Sequence, residues 1–125
     1  VQFPPVHLNG RTFLPGQANN FYIFPAIGMA VFATEASRVT DEMFIEAARA
    51  VADQVPSDSL NQGLLYPLQA DVLETEIQTA ARIAKLIFDS GLARVGRPSD
   101  MVEFIRKHVY TPEYRSVATP EMQLA

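Results

Sequence analysis

Two adjacent asparagines, Asn19 and Asn20, are the side chains of this sequence best suited to hold a ligand. They follow the turn-forming pair Pro15-Gly16 and precede an apolar segment that begins with Phe21. A side-chain amide donates two N–H bonds and accepts through its oxygen, so an amide fixed near a helix N-terminus can orient a carboxylate or a carbonyl group. An amide cannot abstract a proton or transfer a hydride. The pair therefore predicts a binding edge without catalytic groups.

A second interpretation of the pair stays open. Asparagine tolerates left-handed backbone conformations and closes Asx turns through its side-chain oxygen, and Gly16 lies just upstream. On this interpretation Asn19 and Asn20 only shape the turn. The sequence alone does not choose between a ligand site and a turn.

The sequence offers no other set of residues with the spacing of a catalytic or metal site. It has no cysteine, and its six glycines form neither a G-x-G-x-x-G nor a Walker pattern. No serine lies in a G-x-S-x-G elbow. The two histidines, His7 and His108, fall on different predicted elements, and the carboxylates are typical of solvated helix surfaces. We therefore expect no catalytic residue and no metal ligand in this chain.

Composition narrows the functional class further. The chain has 125 residues, 48% of them apolar, and a formal net charge of −4 with the ten basic residues scattered, which argues against a nucleic-acid surface. No apolar stretch approaches the roughly 20 residues of a membrane span. The lack of cysteine and of a targeting segment predicts a cytoplasmic protein. Since Val1 is not an initiator methionine, we expect the chain to begin within a longer protein.

The elements that position the asparagines begin with a β-hairpin. Asn9-Gly10 lies between short β-compatible segments within residues 3–13, and this pair favours a two-residue type I′ turn. A two-stranded ribbon is marginally stable alone, so one face of it should be covered by other residues.

Helices account for most of the remaining chain, which predicts a mainly α fold. Residues 21–33 are apolar on all sides, which is typical of a central helix, here starting near Pro25. A second helix follows the N-cap Thr40, with an apolar stripe at Phe44, Ala47, Ala48 and Val51. Three further helices are predicted at residues 57–62, 70–90 and 99–108, and one more turn at 111–114. Gly91 is placed to end the longest of them.

Several short motifs resemble those of malic enzymes. Residues 15–25, PGQANNFYIFP, resemble the family's PGQ-x-NN-x-x-x-FP element, and the NGR-x-F of residues 9–13 resembles the ribbon before it. Residues 24–28 are similar to the start of the family's next helix, and residues 37–43 to the segment that follows it. GLLYP at 63–67 resembles G-x-L-YP, and residues 110–115 resemble the closing W-x-P-x-Y. The motifs occur in the family's order along nearly the whole chain.

This resemblance implies a function that the residues alone do not. Malic enzymes oxidatively decarboxylate malate to pyruvate with NAD or NADP and a divalent metal, Mn²⁺ or Mg²⁺, and the PGQ element lines the malate pocket. By this resemblance, Asn19 and Asn20 correspond to the family's substrate-contacting pair. Ala18 stands where many members of the family have a glycine. The catalytic tyrosine and lysine, the metal ligands and the cofactor-binding glycines have no counterpart here, so the isolated chain should be inactive.

The resemblance also implies an architecture and partners. Residues 1–36 would end the Rossmann-type cofactor domain, and residues 37–125 would form the C-terminal helical domain. The complete protein would be a homo-oligomer, a dimer or a tetramer, that binds malate and pyruvate and neither nucleic acid nor membrane. Two alternatives stay open: a part of a malolactic enzyme, and a non-catalytic helical module for interaction or oligomerisation.

Overall fold

The computed structural model describes residues 3–111, and these form a short hairpin followed by five α-helices. The hairpin strands are β1 (Val6–Leu8) and β2 (Arg11–Phe13). The helices are α1 (Phe24–Thr34), α2 (Asp41–Asp53), α3 (Ser57–Asn61), α4 (Val72–Asp89) and α5 (Met101–Arg106). Single 3-10 turns at Asn20–Tyr22 and Gln69–Asp71 precede α1 and α4. The predicted mainly α fold with an N-terminal ribbon is confirmed, while the turn predicted at 111–114 runs outside the described residues.

The hairpin forms as its turn residues predict. Asn9 and Gly10 have φ values of 51° and 72°, as a type I′ turn requires, and Val6 pairs with Phe13 across the antiparallel strands. All six strand residues are exposed. The ribbon is attached to the helices at its end, where the Leu14 backbone N–H donates to the Gln62 carbonyl at 2.8 Å. The expected cover for one of its faces is therefore not supplied by residues 3–111.

The core of the described chain lies between α1 and α4. Alanines of α1 pack against apolar residues of α4, and this pair makes the most extensive helix contact among residues 3–111. The buried residues of the two helices include Ala26, Ile27, Ala30, Ala33, Ile77, Ala80, Ile83, Ala84 and Ile87. Small side chains let two helix backbones approach closely, and the isoleucines fill the space between them.

Hydrogen bonds join the two helices at both ends. At the start, the Tyr22 hydroxyl donates to the Pro67 carbonyl, and at the finish the Arg94 backbone N–H donates to the Thr34 carbonyl at 3.0 Å. The Ser37 N–H also donates to the Leu92 carbonyl at 2.9 Å. Helices α1 and α4 therefore run in the same direction, and the segments that precede them lie side by side.

Helix α4 ends at the glycine that the sequence predicts. Gly91 has a φ of 69°, its N–H donates to the Phe88 carbonyl, and the Leu92 N–H donates to the Ile87 carbonyl. These two bonds form a Schellman motif, which satisfies carbonyl groups at the helix end. The chain then turns back towards α1.

The buried face of α2 differs from the predicted stripe. Ala47 and Val51 are buried as expected. Phe44, which is 39% exposed, and Ala48 are exposed against the prediction, and Met43 and Ala50 are buried instead. Two overlapping sets of apolar residues are present in α2, so the 3.6-residue period fits either face. The flexible methionine fills the core space beside α4, whereas the Phe44 ring makes an edge contact with the Phe24 ring at 6.2 Å.

Ion pairs hold α2 and α5 against α4. Arg82 of α4 contacts Glu46 at 2.7 Å and Asp53 at 2.6 Å, and hydrogen bonds to Asp53 and Glu46 raise the pKa of the guanidinium. Arg106 contacts Glu74 at 2.7 Å, and hydrogen bonds from Gln78 and Arg106 lower the pKa of the Glu74 carboxyl. Each exposed pair adds at most about 1 kcal/mol, so the pairs align helices that apolar packing already holds.

Helix α1 is buried on one face only. Phe24 is 58% exposed and Phe32 72% exposed, and Gly28 lies exposed between them on the same face. The sequence predicts a helix covered on every side, but within residues 3–111 the two rings of this face meet other rings only at their edges, Phe24 with Phe44 and Phe32 with His108. None of the described helices is both long enough and apolar enough to cross a membrane.

We expect Gly91→Ala to lower the free energy of unfolding by about 1 kcal/mol, because alanine is strained in the left-handed conformation. A Cβ at Gly91 meets nothing within 4 Å, so the loss reports backbone conformation alone. Gly96→Ala is the matched control, since Gly96 is equally open and lacks a left-handed φ. Urea denaturation measures the free energy of unfolding of both variants. Equal stability of the two would contradict the role given to the left-handed backbone of Gly91.

We expect the isolated chain to self-associate through the exposed face of α1, since exposed aromatic surface favours contacts between chains. Phe32→Ser should shift the chain towards monomer in light scattering at matched concentrations. Leu65→Ser is the control, because Leu65 is 70% exposed but lies outside α1. A wild-type chain that is monomeric at all concentrations would disprove this prediction.

Candidate functional site

The asparagine pair lies on the loop between β2 and α1, and the structure gives its two members different roles. Asn19 has an extended backbone, and its Oδ1 accepts from the Phe21 backbone N–H at 3.1 Å. It is thus the N-cap of the 3-10 turn Asn20–Tyr22. For the Asn19 oxygen, the turn-forming role that the sequence leaves open is the one observed.

The Asn20 amide is uncommitted within residues 3–111. Asn20 is exposed, and no described group makes a hydrogen bond with its side chain, although its backbone carbonyl accepts from the Ile23 N–H at 3.1 Å. Its full capacity of two donors and an acceptor therefore remains available to a ligand. Helix α1 begins at Phe24, a few residues after Asn20, and a helix N-terminus favours anions.

The loop that carries the pair rests on the segment that connects α3 with α4. The Leu14–Gln62 backbone bond holds the start of the loop, and the Gln69 amide donates to the Gln17 side-chain oxygen at 3.3 Å. The Tyr22 hydroxyl donates to the Pro67 carbonyl at 2.5 Å and holds the end of the loop. We refer to residues 62–69 as the supporting segment.

Tyr22 is the most buried residue of the loop, with 2% of its surface exposed. Its ring stacks on Tyr66 with centroids 5.3 Å apart and lies 4.5 Å from the Phe21 ring. Burial, and secondarily the neighbouring Tyr66 phenol, raise the pKa of the Tyr22 hydroxyl above its ordinary value. The hydroxyl therefore stays protonated and donates to Pro67 at physiological pH.

A cleft of about 620 Å³ opens between the loop and the supporting segment. Its polar side chains include Gln17, Gln62 and Gln69, and the tyrosines are its titratable groups. The remaining lining is mainly apolar and comes from Phe3, Pro5, Leu14, Pro15, Gly16, Leu64, Pro67 and Leu68. The part of this lining that comes from residues 3–111 can hold a shape and donate hydrogen bonds, but it includes no carboxylate, histidine or lysine to carry a proton in catalysis.

Ala18 fits its position without strain. Among the described non-glycine residues, only Asn9 and Glu35 have a positive φ, so Ala18 lies in an ordinary backbone region. A glycine is therefore not needed there for conformational reasons. The presence of Ala18 in place of the family's glycine therefore does not disturb the turn.

Residues 3–111 lack two recognisable patterns, a cluster of metal-ligating side chains and a glycine-rich phosphate loop. Residues 3–111 contain no group of three His, Cys, Asp or Glu side chains that could hold a metal ion. The His7 ring bonds to the Thr12 hydroxyl on the ribbon, and the His108 ring bonds to the Phe104 carbonyl at the end of α5. No strand in this region leads into a glycine-rich phosphate loop. No chemical step is therefore assigned to a metal or nucleotide here.

No sequence pattern marks Tyr22 or Pro67 as part of the site. One signal was available: a tyrosine within an otherwise apolar segment must place its hydroxyl against an acceptor when it is buried. The sequence does not reveal which acceptor is used, because Pro67 lies 45 residues further along the chain.

We expect the two asparagines to differ in their effects on stability. Asn19→Ala removes the acceptor for the Phe21 N–H and should lower the free energy of unfolding by roughly 0.5–1 kcal/mol. Asn20→Ala removes an exposed amide without a partner in residues 3–111 and should change it by less than about 0.5 kcal/mol. Urea denaturation of both variants tests this difference, and an equal loss of stability in the two would contradict it.

Comparison with known proteins agrees with the motifs. Residues 1–88 match the model of the malic enzyme NAD binding domain, which is a Rossmann-type domain. The chain is 42% identical over 115 residues to the NADP-dependent malic enzyme of Vitis vinifera, covering 91% of this chain and 20% of that protein. The Dictyostelium discoideum NADP-dependent malic enzyme is 36% identical over 112 residues, covering 90% and 21% respectively. The chain spans about a fifth of the length of these curated relatives. The chain therefore belongs to the malic enzyme family.

Proposed function

We propose that this chain is the C-terminal part of a malic enzyme that oxidatively decarboxylates malate to pyruvate, and that Asn20 forms one wall of the malate pocket. The observation that carries the proposal is the uncommitted, exposed Asn20 amide on a turn that is itself firmly held. Family membership supplies the reaction class, and the names of the relatives favour NADP over NAD as the nucleotide.

An amide suits this role because malate carries two carboxylates and a hydroxyl. The Asn20 Nδ2 group donates to a carboxylate oxygen, while Oδ1 accepts from a hydroxyl. Asn19 contributes through its cap on the Phe21 N–H, and in this proposal its own Nδ2 contacts malate as well. Both amides are neutral, so the wall orients the substrate without exchanging a proton with it.

The rest of the active site lies outside this chain in the proposal. NAD or NADP and the divalent metal, Mn²⁺ or Mg²⁺, are held by residues of the complete enzyme that this sequence does not include. The isolated chain is accordingly inactive. The exposed face of α1 and the uncovered ribbon support this view, since both need apolar partners. A cytoplasmic homo-oligomer, dimer or tetramer, remains part of the proposal, as does the division at residues 36 and 37.

Two alternatives lead to different measurements. A malolactic enzyme would convert malate to lactate, so the product separates it from a malic enzyme. A non-catalytic helical module is favoured by the exposed face of α1 with Phe24 and Phe32. Such a module would bind a partner chain whether or not the asparagines are intact.

We expect malate-dependent reduction of NADP in the presence of Mn²⁺ by a protein extended upstream by several hundred residues, and none by this chain alone. In the extended protein, Asn20→Ala should lower kcat/KM for malate about 10- to 100-fold, the loss expected for one hydrogen bond to a charged ligand. The KM for NADP should change much less, since the proposal assigns the Asn20 amide to malate and not to the nucleotide.

Asn61→Ala is the matched control, because Asn61 is also exposed but ends α3 rather than lying on the loop. It should retain wild-type kinetics. Full activity of Asn20→Ala, or no malate-dependent activity in the extended protein, would reject the proposed role.

A further inference from the structure

We propose that Tyr22 is a positioning residue for the Asn20 amide, acting through the 3-10 turn that contains both. The inference rests on the proposed function and adds a residue that touches neither substrate nor cofactor. It assigns to the hydrogen bond between the Tyr22 hydroxyl and the Pro67 carbonyl the task of fixing where Asn20 presents its side chain.

The turn that carries Asn20 cannot fix its own position. It spans three residues, and a 3-10 turn of this length is held by few and poorly aligned hydrogen bonds. Asn20 itself is exposed and makes no side-chain contact by hydrogen bond within residues 3–111. Whatever holds the amide in one place must therefore act through the backbone of its neighbours.

Tyr22 is the residue of the turn that reaches a fixed partner. It is the buried member of the three, and its backbone N–H donates to the Asn19 carbonyl at 3.3 Å. The next N–H, that of Ile23, donates to the Asn20 carbonyl. A displacement of the Tyr22 side chain is thus transmitted to the backbone of Asn20 within two residues.

The acceptor is well suited to be an anchor. Pro67 is buried, so the surrounding groups limit how far its carbonyl can follow a moving partner. Tyr66 stacks on the Tyr22 ring, which limits rotation of the phenol. The supporting segment is itself tied to the ribbon by the Leu14–Gln62 bond. The hydroxyl therefore joins the turn to a surface that is already fixed.

Loss of this bond should affect substrate orientation more than folding. Without the hydroxyl, the ring of Tyr22→Phe still fills its site, but the turn is no longer fixed to Pro67. A displacement of about 1 Å in a substrate-holding group costs up to a hundredfold in rate. The effect should appear in kinetics with malate and leave the KM for NADP within about twofold of wild type.

The test uses the complete enzyme and the variants Tyr22→Phe, Asn20→Ala and their combination. We expect Tyr22→Phe to lower kcat/KM for malate about tenfold in the wild-type background. In the Asn20→Ala background the same change should have no further effect, because a positioning residue acts only through the group it positions. Independent, additive losses would overturn the inference.

Thr79→Val is the matched control for removal of a buried hydroxyl. The Thr79 hydroxyl is fully buried in α4 and accepts from the Gln54 amide at 2.9 Å. We expect it to alter the melting temperature but not kcat/KM for malate. If Thr79→Val impairs malate turnover as much as Tyr22→Phe does, the effect is general destabilisation and the inference is wrong.

The same set of variants separates the inference from the function it rests on. Tyr22→Phe with wild-type kinetics beside an impaired Asn20→Ala would overturn the inference and leave the proposed function standing. An Asn20→Ala variant with wild-type kinetics would overturn both.

Discussion

The close packing of α1 against α4 is the constraint on which the rest of the described structure depends. Alanines at the contact allow the backbones to approach, and this places the segments that precede the two helices side by side. One of those segments carries Asn19 and Asn20, and the other contains Tyr66 and Pro67. The hydrogen bond of Tyr22 to Pro67 can form only because the helices behind it are in this register. The site is in this sense a consequence of the core.

Local chemistry explains which parts of the fold follow from the sequence. Asn9-Gly10 specifies its turn because few residue pairs tolerate two positive φ values in succession, and Gly91 ends α4 for the same reason. Helix faces are specified less well. In α2 the apolar residues satisfy two registers, and only contact with α4 decides that Met43 rather than Phe44 is buried. Periodicity describes a helix surface but does not identify the surface that it meets.

The candidate site shows the same difference between features set by neighbouring residues and features set by helix packing. The sequence locates both asparagines and predicts that they lie where a turn leads into a helix, because glycine, proline and asparagine act over a few residues. It does not predict that the Asn19 oxygen is used as a cap while the Asn20 amide is left available. Nor does it predict the Tyr22 anchor, since a hydrogen bond across 45 residues depends on how two helices pack. The sequence predicts contacts between neighbouring residues, whereas contacts between residues far apart in the chain become known only from the structure.

The side chains of the loop and of the cleft beside it include few titratable groups. Among the described residues that line the cleft, which do not include the two asparagines, only Tyr22 and Tyr66 are titratable. Burial raises the pKa of the Tyr22 hydroxyl further from neutrality. The two asparagine amides carry no charge at any physiological pH. The amides and the Tyr22 hydroxyl therefore keep the same hydrogen-bonding capacity across that range.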